Sequence, residues 1–543
     1  MKQYSMISII TVVLTGIVFG LPYTSDEWKI PRPGKADLTV TFIERLPRYP
    51  GTAYSYQHVD NDPVLGTGDL LPPKPADTTK KGWPDVGEKI TFIAHVKNAG
   101  TKPAIPFDWH WTLDGREIIS GVTEQPLAPG QELVFTNYWT WQTGDHYVAF
   151  DVNRVGRDDE ITRNNNTVVD QINGLAFHFF VEQGLADWFT TVRNGKGSYC
   201  WEDWAQNQVQ EMNRTFRDDV HPTTPEGIKL RVRLDRIFVI PNGWGDPEGM
   251  HTPAIVPPVD YDNPVLFPWY VKTNANSTAE TYANGNTGCD GVWGFTTGYL
   301  KKDPAKGNSN AYEVLSHWIL GPEWALFHEL GHQLGLHDFY LAPVSPDQNH
   351  ALPGVGFNPG IVFNSQMMHS GNYAHDDNIA KGKGRWDVNY RFWEEGAAND
   401  LSKDRYRRRG MFGWYIDRIP ASNIVQFIYA DGTPAGNGKV SFFRAKGRGY
   451  ANPEIPAEPA YTGTTDDNGV WILPGSPFIK AFNWGSNGTF LYTVKKDGKI
   501  WYAWMTYNDF NLEYYRGKEI GEYRLMLTQY KPEQKQKQIN AEQ

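Results

Sequence analysis

The sequence predicts a multidomain chain in which one α+β domain lies between two all-β sandwich domains. Apolar and polar residues alternate from about residue 36 to 170 and again after residue 423, which is typical of half-buried strands. Apolar residues at helical spacing occur between these two regions. The 543 residues are also enough for about three or four domains of ordinary size.

The N-terminus has the pattern of an export signal. Lys2 precedes an uncharged apolar stretch from Met6 to Gly20, which is too short for a comfortable membrane span. We expect a signal peptide over residues 1–20, with an uncleaved anchor as the alternative, and a polar linker over 21–35. No second apolar run is long enough to cross a membrane. The protein is therefore expected to be secreted or displayed at the cell surface.

Two features narrow the class of protein further. The formal net charge of −10 does not indicate nucleic-acid binding, which needs a basic surface. Cys200 and Cys289 are the two cysteines, and export favours a disulfide between them. The alternative is two unpaired buried thiols.

The first β-rich region resembles a known extracellular module. In "EKITFIAHVKNAG" the residues Ile90, Phe92, Ala94 and Val96 alternate onto one face. The segments "GEKITFIAHVKNAGT", "PLAPGQ", "GDHYVAFDVN" and "DDEITRNNNTVV" resemble the CARDB family of immunoglobulin-like modules. The resemblance implies an immunoglobulin-like β-sandwich over 36–170, and a partner at the cell surface or in an extracellular polymer.

The middle region, residues 171–422, mixes helix and strand signals. "WEDWAQNQVQEMNRTF" places Trp201, Trp204, Ala205, Val209, Met212 and Phe216 on one helical face, and "GIKLRVRLDRIFVI" alternates as a strand. "EWALFHELGHQL" is again helical. These signals predict an α+β domain.

Strand signals return over residues 423–530. "DGTPAGNGKV" and "TTDDNGVWILP" resemble the transthyretin-like or carboxypeptidase-regulatory-like β-domains. That resemblance implies a second immunoglobulin-like sandwich. Residues 531–543 are polar and are expected to form a disordered tail.

The stretch "HELGHQLGLHDFY" indicates a metal site. His328 and His332 are one helical turn apart, so both imidazoles can reach one tetrahedral zinc ion. Glu329 lies beside the first ligand and can act on a metal-bound water, and Gly335 can turn the chain back toward the metal. The alternative is a chance occurrence of the pattern.

The whole string resembles the metzincin metallopeptidases, in the HExxHxxGxxD form found in snapalysin-like members. The resemblance implies Asp338 as the third ligand, with His337 as the alternative because histidine is the commoner zinc ligand. It also implies a methionine turn beneath the metal, best matched by Met368, with Met367 as the alternative. Tyr373 is a candidate oxyanion donor, although it lies farther from the methionine than in the family.

These residues lead to the expectation of an exported zinc metalloendopeptidase with a zincin-type catalytic domain. One catalytic Zn²⁺ would serve a protein or peptide substrate, with Glu329 as general base. A Ca²⁺ site has no support, because the acidic runs near residues 157–160 and 376–378 lack a full ligand pattern. One alternative is an extracellular structural or adhesive protein with an inactive zincin domain. Another is a protease specialised for glycoproteins.

Overall fold

A computed structural model describes part of the chain. The described residues are 31–47, 84–240, 242, 291–295, 322–334, 336, 342–358, 366–368, 392–403, 418–446, 453–478 and 488–531. The predicted signal peptide, most of the linker and nearly all of the predicted tail lie outside these ranges.

Eighteen strands and five α-helices lie within the described ranges. The strands are β1 (Leu38–Leu46), β2 (Lys89–Asn98), β3 (Asp108–Leu113), β4 (Arg116–Val122), β5 (Glu132–Thr140), β6 (Tyr147–Val152), β7 (Thr167–Gln171), β8 (Leu175–Glu182), β9 (Val232–Ile240), β10 (Gly291–Phe295), β11 (Ser422–Ile428), β12 (Lys439–Arg444), β13 (Tyr461–Thr464), β14 (Val470–Ile472), β15 (Thr489–Lys496), β16 (Lys499–Thr506), β17 (Ile520–Met526) and β18 (Thr528–Gln529). The helices are α1 (Gln183–Phe189), α2 (Trp201–Asp218), α3 (Trp324–Gln333), α4 (Glu395–Lys403) and α5 (Tyr507–Tyr515).

The N-terminal region is a sandwich of two antiparallel sheets. One sheet has the order β1-β2-β5 and the other β4-β3-β6-β7. The predicted alternation along β2 is confirmed, since Ile90, Phe92, Ala94 and Val96 are all buried. They pack with Trp111 and other large side chains from the facing sheet in one hydrophobic core.

The middle region contains a small parallel sheet of order β10-β8-β9. Helix α2 packs beside it, and the predicted apolar face of this helix is confirmed. Its six predicted residues are buried, namely Trp201, Trp204, Ala205, Val209, Met212 and Phe216. Strand β8 is buried along its whole length, as expected for a central strand in a parallel sheet.

The C-terminal region contains a three-stranded sheet, β14-β11-β17, and a five-stranded sheet, β13-β12-β15-β16-β18. Phe427 from the first sheet and Tyr492 from the second have ring centroids 5.5 Å apart in the core between them. Strand β16 runs directly into α5, whose start is closed by a capping box between Thr506 and Asp509.

The N-terminal sandwich is joined to the middle region by a buried polar network. Asp235 on β9 accepts a hydrogen bond from the backbone N–H of Arg45 on β1, at 2.9 Å. The same carboxylate pairs with Arg233 and lies 3.1 Å from Nε2 of His178, and these three side chains are 0–2% exposed. Arg233 also donates to the backbone carbonyl of Ile43 on β1, at 2.9 Å.

A second set of charges crosses the same junction. Nζ of Lys97 on β2 lies 2.6 Å from Oε1 of Glu202 on α2. Burial raises the pKa of Asp170, at the end of β7, to about 7, while the nearby charge of Arg233 acts in the opposite direction. Charged groups out of water need partners, so these contacts hold the two regions in one arrangement.

The fold class predicted from the sequence, an α+β zincin catalytic domain between two immunoglobulin-like sandwiches, is wrong for the described residues. They are mostly β-sheet, with 41% strand and 16% helix, and no zincin catalytic domain is evident among them. Helical spacing at 201–216 and 324–334 specifies two helices but not a catalytic fold. Aromatic-rich alternation elsewhere makes strand the commonest regular structure.

Candidate functional site

Helix α3 carries the HELGH motif and is held by its apolar side. Leu326, Phe327, Leu330 and Leu334 are at most 2% exposed and belong to the main hydrophobic core. The start of the helix is tied to α2, because the backbone N–H of Glu323 donates to Oε1 of Gln208 at 2.7 Å. The apolar side of the helix that carries the motif is therefore packed in the core.

His328 is oriented by a backbone carbonyl. The side chain is 4% exposed, and its Nδ1 lies 2.9 Å from the carbonyl oxygen of Met367. A carbonyl oxygen can only accept, so Nδ1 must carry the proton. In the neutral ring the lone pair is then on Nε2, which is the arrangement that metal-binding histidines use.

Met367 and Met368 form a turn that lies against helix α3. The backbone N–H of Met367 donates to the carbonyl of Phe392 at 2.7 Å, and both methionines are buried. A Cβ placed on Gly331 would lie 2.6 Å from Sδ of Met368 and 3.1 Å from Cζ3 of Trp393. The sulfur thus contacts the helix backbone between the positions of His328 and His332.

Trp393 also lies close to Gly331 and is held by residues at the end of helix α2. Its indole Nε1 donates to Oγ1 of Thr215 at 3.1 Å, and its backbone N–H donates to Asp219 at 2.6 Å. Nε2 of His221 lies 2.8 Å from the backbone carbonyl of Trp393. Burial lowers the pKa of His221, but the hydrogen bond and charge of Asp219 outweigh it and raise that pKa.

Glu394 is buried at the start of helix α4. Its carboxylate accepts hydrogen bonds from the backbone N–H groups of Gly396, at 2.7 Å, and Ala397, at 2.9 Å. Burial raises the pKa of Glu394 to about 7 despite these two donors. Glu394 therefore caps the N-terminus of helix α4, which begins directly after Trp393 and Glu394.

Sequence reasoning missed Gly331 and Trp393. The glycine lies between two histidines in the interior of a helix, where glycine costs about 1 kcal/mol relative to alanine. A glycine at such a costly position indicates that another group packs closely against the helix, so the sequence contained a signal for this contact. The position of Trp393 had no comparable signal, because it is one of 21 tryptophans.

Gly331→Ala is expected to destabilise the protein by about 1–3 kcal/mol, the usual cost of overpacking. Helix propensity alone predicts the opposite sign, with a gain of about 1 kcal/mol. Chemical denaturation of the full chain measures the difference. In a Met368→Ala background the same change should cost less, and a stabilised single variant would contradict the packing of Met368 on Gly331.

Several predicted site residues lie outside the description. The side chains of Glu329 and His332 are not described, although both backbones lie in helix α3. His337, Asp338, Tyr373 and Cys289 also fall outside the described residues. Within the described part of the chain, no group of three or more His, Cys, Asp or Glu side chains is arranged to hold a metal ion. The ligand set and the choice between Asp338 and His337 stay predictions.

The predicted disulfide is not found at Cys200. This residue is a free, buried thiol, and its Sγ donates to Oε2 of Glu202 at 2.7 Å. Burial raises the pKa of the Cys200 thiol well above its usual value, with the neighbouring charge of Glu202 acting in the same direction. The protonated thiol therefore bonds to the same Glu202 carboxylate as Lys97, where the N-terminal sandwich meets the middle region.

Comparison with known proteins identifies part of the chain. A CARDB family model matches residues 68–170. Residues 68–170 form a CARDB domain. The observed pair of antiparallel sheets is the immunoglobulin-like sandwich that the sequence predicted for this region, and CARDB is a cell-surface type of β-domain.

Similar solved structures include two of one CARDB domain from Pyrococcus furiosus. The crystal structure in complex with di-metal ions is 19% identical and covers 26% of this chain and 93% of that one, with a TM-score of 0.17. The solution structure is 25% identical and covers 16% and 84%, with a TM-score of 0.15. Catechol 1,2-dioxygenase from Acinetobacter is 18% identical and covers 20% and 53%, with a TM-score of 0.12. No curated protein matches the chain.

The CARDB domain is consistent with an extracellular or cell-surface location and with a structural or adhesive role there. None of the helices that the structure describes is both long and apolar enough to cross a membrane.

Proposed function

We propose that this chain is an extracellular hydrolase in which helix α3 carries a zinc site for peptide-bond cleavage and the CARDB domain attaches the site to a surface or polymer. The supporting observation is the hydrogen bond between Nδ1 of His328 and the carbonyl of Met367. It sets the ring orientation and the tautomer that a zinc ligand needs, before any metal binds.

The residues around His328 suit such a site. His332 follows on the same helix one turn later, and the apolar contact of Met368 with Gly331 lies between the two positions. In the proposal, His328, His332 and Asp338, or His337 in its place, hold zinc. Bound zinc would supply Lewis acidity toward a peptide carbonyl and a lowered pKa for water.

The chain's own groups would do the proton chemistry. Glu329 would take the proton of the attacking water and return it to the leaving amine as a general acid. Tyr373 remains the candidate donor to the developing oxyanion.

A second candidate function is supported by the CARDB domain alone. An extracellular structural or adhesive protein needs that domain and a rigid core, and both are present. In this case His328 would only stabilise the packing of helix α3, and any bound zinc would not catalyse hydrolysis.

Zinc content and cleavage of a mixed protein substrate distinguish the two candidates. The wild-type chain is expected to bind one zinc ion and to lose hydrolysis when a chelator removes it. His328→Ala should lose both zinc and activity, since a zinc site with three protein ligands cannot spare one. His146→Ala is the matched control, because that histidine lies in the N-terminal sandwich and pairs with Asp114 at 2.8 Å.

Wild-type protein that binds zinc at His328 and cleaves nothing would favour the adhesive function. Wild-type protein without zinc would overturn the proposed hydrolase.

A further inference from the structure

Residues 342–358 form a compact loop, here called the cover loop. Val344 and Phe357 close its base with two backbone hydrogen bonds of 2.9 and 2.7 Å. The side chain of Asn349 closes its interior, donating to the carbonyl of Val355 at 2.8 Å and accepting from the N–H of Leu352 at 2.9 Å. Asn349 is 1% exposed, so the loop has a fixed internal shape.

The cover loop lies on the outer face of the five-stranded C-terminal sheet. Neighbouring residues on these strands point to opposite faces, so Phe442 enters the sandwich core while Phe443 faces the loop. Phe357 of the loop stacks on Trp504 of β16, with ring centroids 4.9 Å apart and an interplanar angle of 22°. The shared cluster consists of Val344, Leu352, Val355, Phe443, Ala445, Ile455 and Leu491, with Phe357, Tyr502 and Trp504 at its edge.

Hydrogen bonds from separate parts of the C-terminal region hold the same loop. Oγ1 of Thr489 donates to the carbonyl of Ala342 at 2.9 Å, and the hydroxyl of Tyr530 donates to the carbonyl of Pro353 at 3.0 Å. The backbone of Ile455 donates to Gln348 and accepts from His350, each at 2.9 Å. The loop is thus attached at its start, its middle and its far end.

The cover loop connects the two parts of the candidate site. It begins shortly after helix α3 and ends shortly before the turn of Met367 and Met368. The contact between His328 and Met367 therefore joins chain segments on either side of the loop. Fixing the closed loop roughly halves the length of chain between these segments, which lowers the entropy cost of their contact.

We propose that the C-terminal β-region is an intramolecular clamp for the candidate site. Its outer sheet face captures the cover loop and thereby holds helix α3 against the Met367–Met368 turn. Trp504 and Thr489 are positioning residues, which act on His328 through the loop and do not touch the site. The metal readout below rests on the proposed function, whereas the clamp itself does not require a bound metal.

The test compares Trp504→Ala in the full chain with Trp504→Phe, which keeps an aromatic ring for stacking. Ile472→Ala is the control, because that side chain is 59% exposed on the other C-terminal sheet. Hydrogen exchange of the metal-free proteins and Zn²⁺ affinity by chelator competition are the two readouts. Trp504→Ala is expected to speed exchange in both the cover loop and helix α3, including the amide of Leu334, which bonds to Leu330 at 3.1 Å.

Zn²⁺ binding to Trp504→Ala should weaken by about 3-fold, because freeing the loop roughly doubles the length of chain that must close to bring His328 and Met367 together. Trp504→Phe should restore most of the affinity, and Ile472→Ala should behave as wild type. Faster exchange confined to the cover loop, with helix α3 unchanged, would overturn the clamp.

If the wild-type chain binds no Zn²⁺, the proposed hydrolase function is wrong. The hydrogen-exchange result then tests the clamp by itself. Should Trp504→Ala fail to fold, Thr489→Val replaces it, because valine keeps the side-chain shape and removes only the bond to Ala342. Unchanged exchange in helix α3 of this variant would count against the clamp.

Discussion

Replacing Glu329 with alanine is expected to lower peptide hydrolysis by about 10²- to 10⁴-fold, the range that a positioned general acid–base group contributes. Zinc content should stay at the wild-type level, because the proposal gives Glu329 no ligand role. The measurement is kcat/KM on a peptide substrate together with the zinc content of each protein. Glu329→Gln should lose as much activity, since an amide keeps the size of the side chain but cannot take the proton.

The matched control is Glu395→Gln on helix α4, which binds Thr223 through its carboxylate and lies outside the proposed chemistry. It should retain hydrolysis. Equal losses in Glu329→Ala and Glu395→Gln would indicate damage to the fold. Full activity in Glu329→Ala would remove Glu329 from the mechanism.

Arg233→Met is expected to lower the free energy of unfolding by about 3–5 kcal/mol, the cost of leaving a buried charge without its partner. The change removes the arginine that pairs with the buried carboxylate of Asp235, which is 0% exposed, and it removes the bond to the carbonyl of Ile43. It also removes the nearby positive charge that favours ionised Asp170. Chemical denaturation followed by tryptophan fluorescence measures the loss.

Arg214→Met is the control for this prediction. Arg214 pairs with Glu211 at 2.7 Å, but its side chain is 46% exposed, and surface pairs contribute about 0–1 kcal/mol. If both variants lose the same small amount, the junction of the N-terminal sandwich with the middle region does not depend on the buried network. A separate early unfolding step in Arg233→Met alone would show that this network joins the two regions.

Local patterns predicted the elements more reliably than the architecture. The alternation of β2 and the apolar face of α2 correspond to buried residues, because each pattern repeats with the geometry of a single strand or helix. The fold class did not follow from them. Which sheets form, and what covers each face, depends on contacts between residues far apart in the chain, such as Phe357 with Trp504.

The candidate site divides in the same way. Its motif, His328 with Glu329 and His332 at helical spacing, is readable from the sequence because one helix carries all three residues. The contacts that hold this motif in place cannot be predicted from the sequence. The carbonyl of Met367, the close approach of Met368 to Gly331 and the packing of Trp393 come from two other chain segments, 366–368 and 392–403.

By itself, the sequence determined the CARDB domain, the strands of the sandwich and the helix with the histidine pair. These features depend on short-range periodicity and on motifs a few residues long. Only the tertiary structure decided that Nδ1 of His328 bonds to the carbonyl of Met367, that Cys200 is a free thiol bonded to Glu202, and that residues 342–358 pack on the C-terminal sheet. Each of these depends on side chains that burial brings together from distant positions, where the exclusion of water makes an unmatched polar group costly.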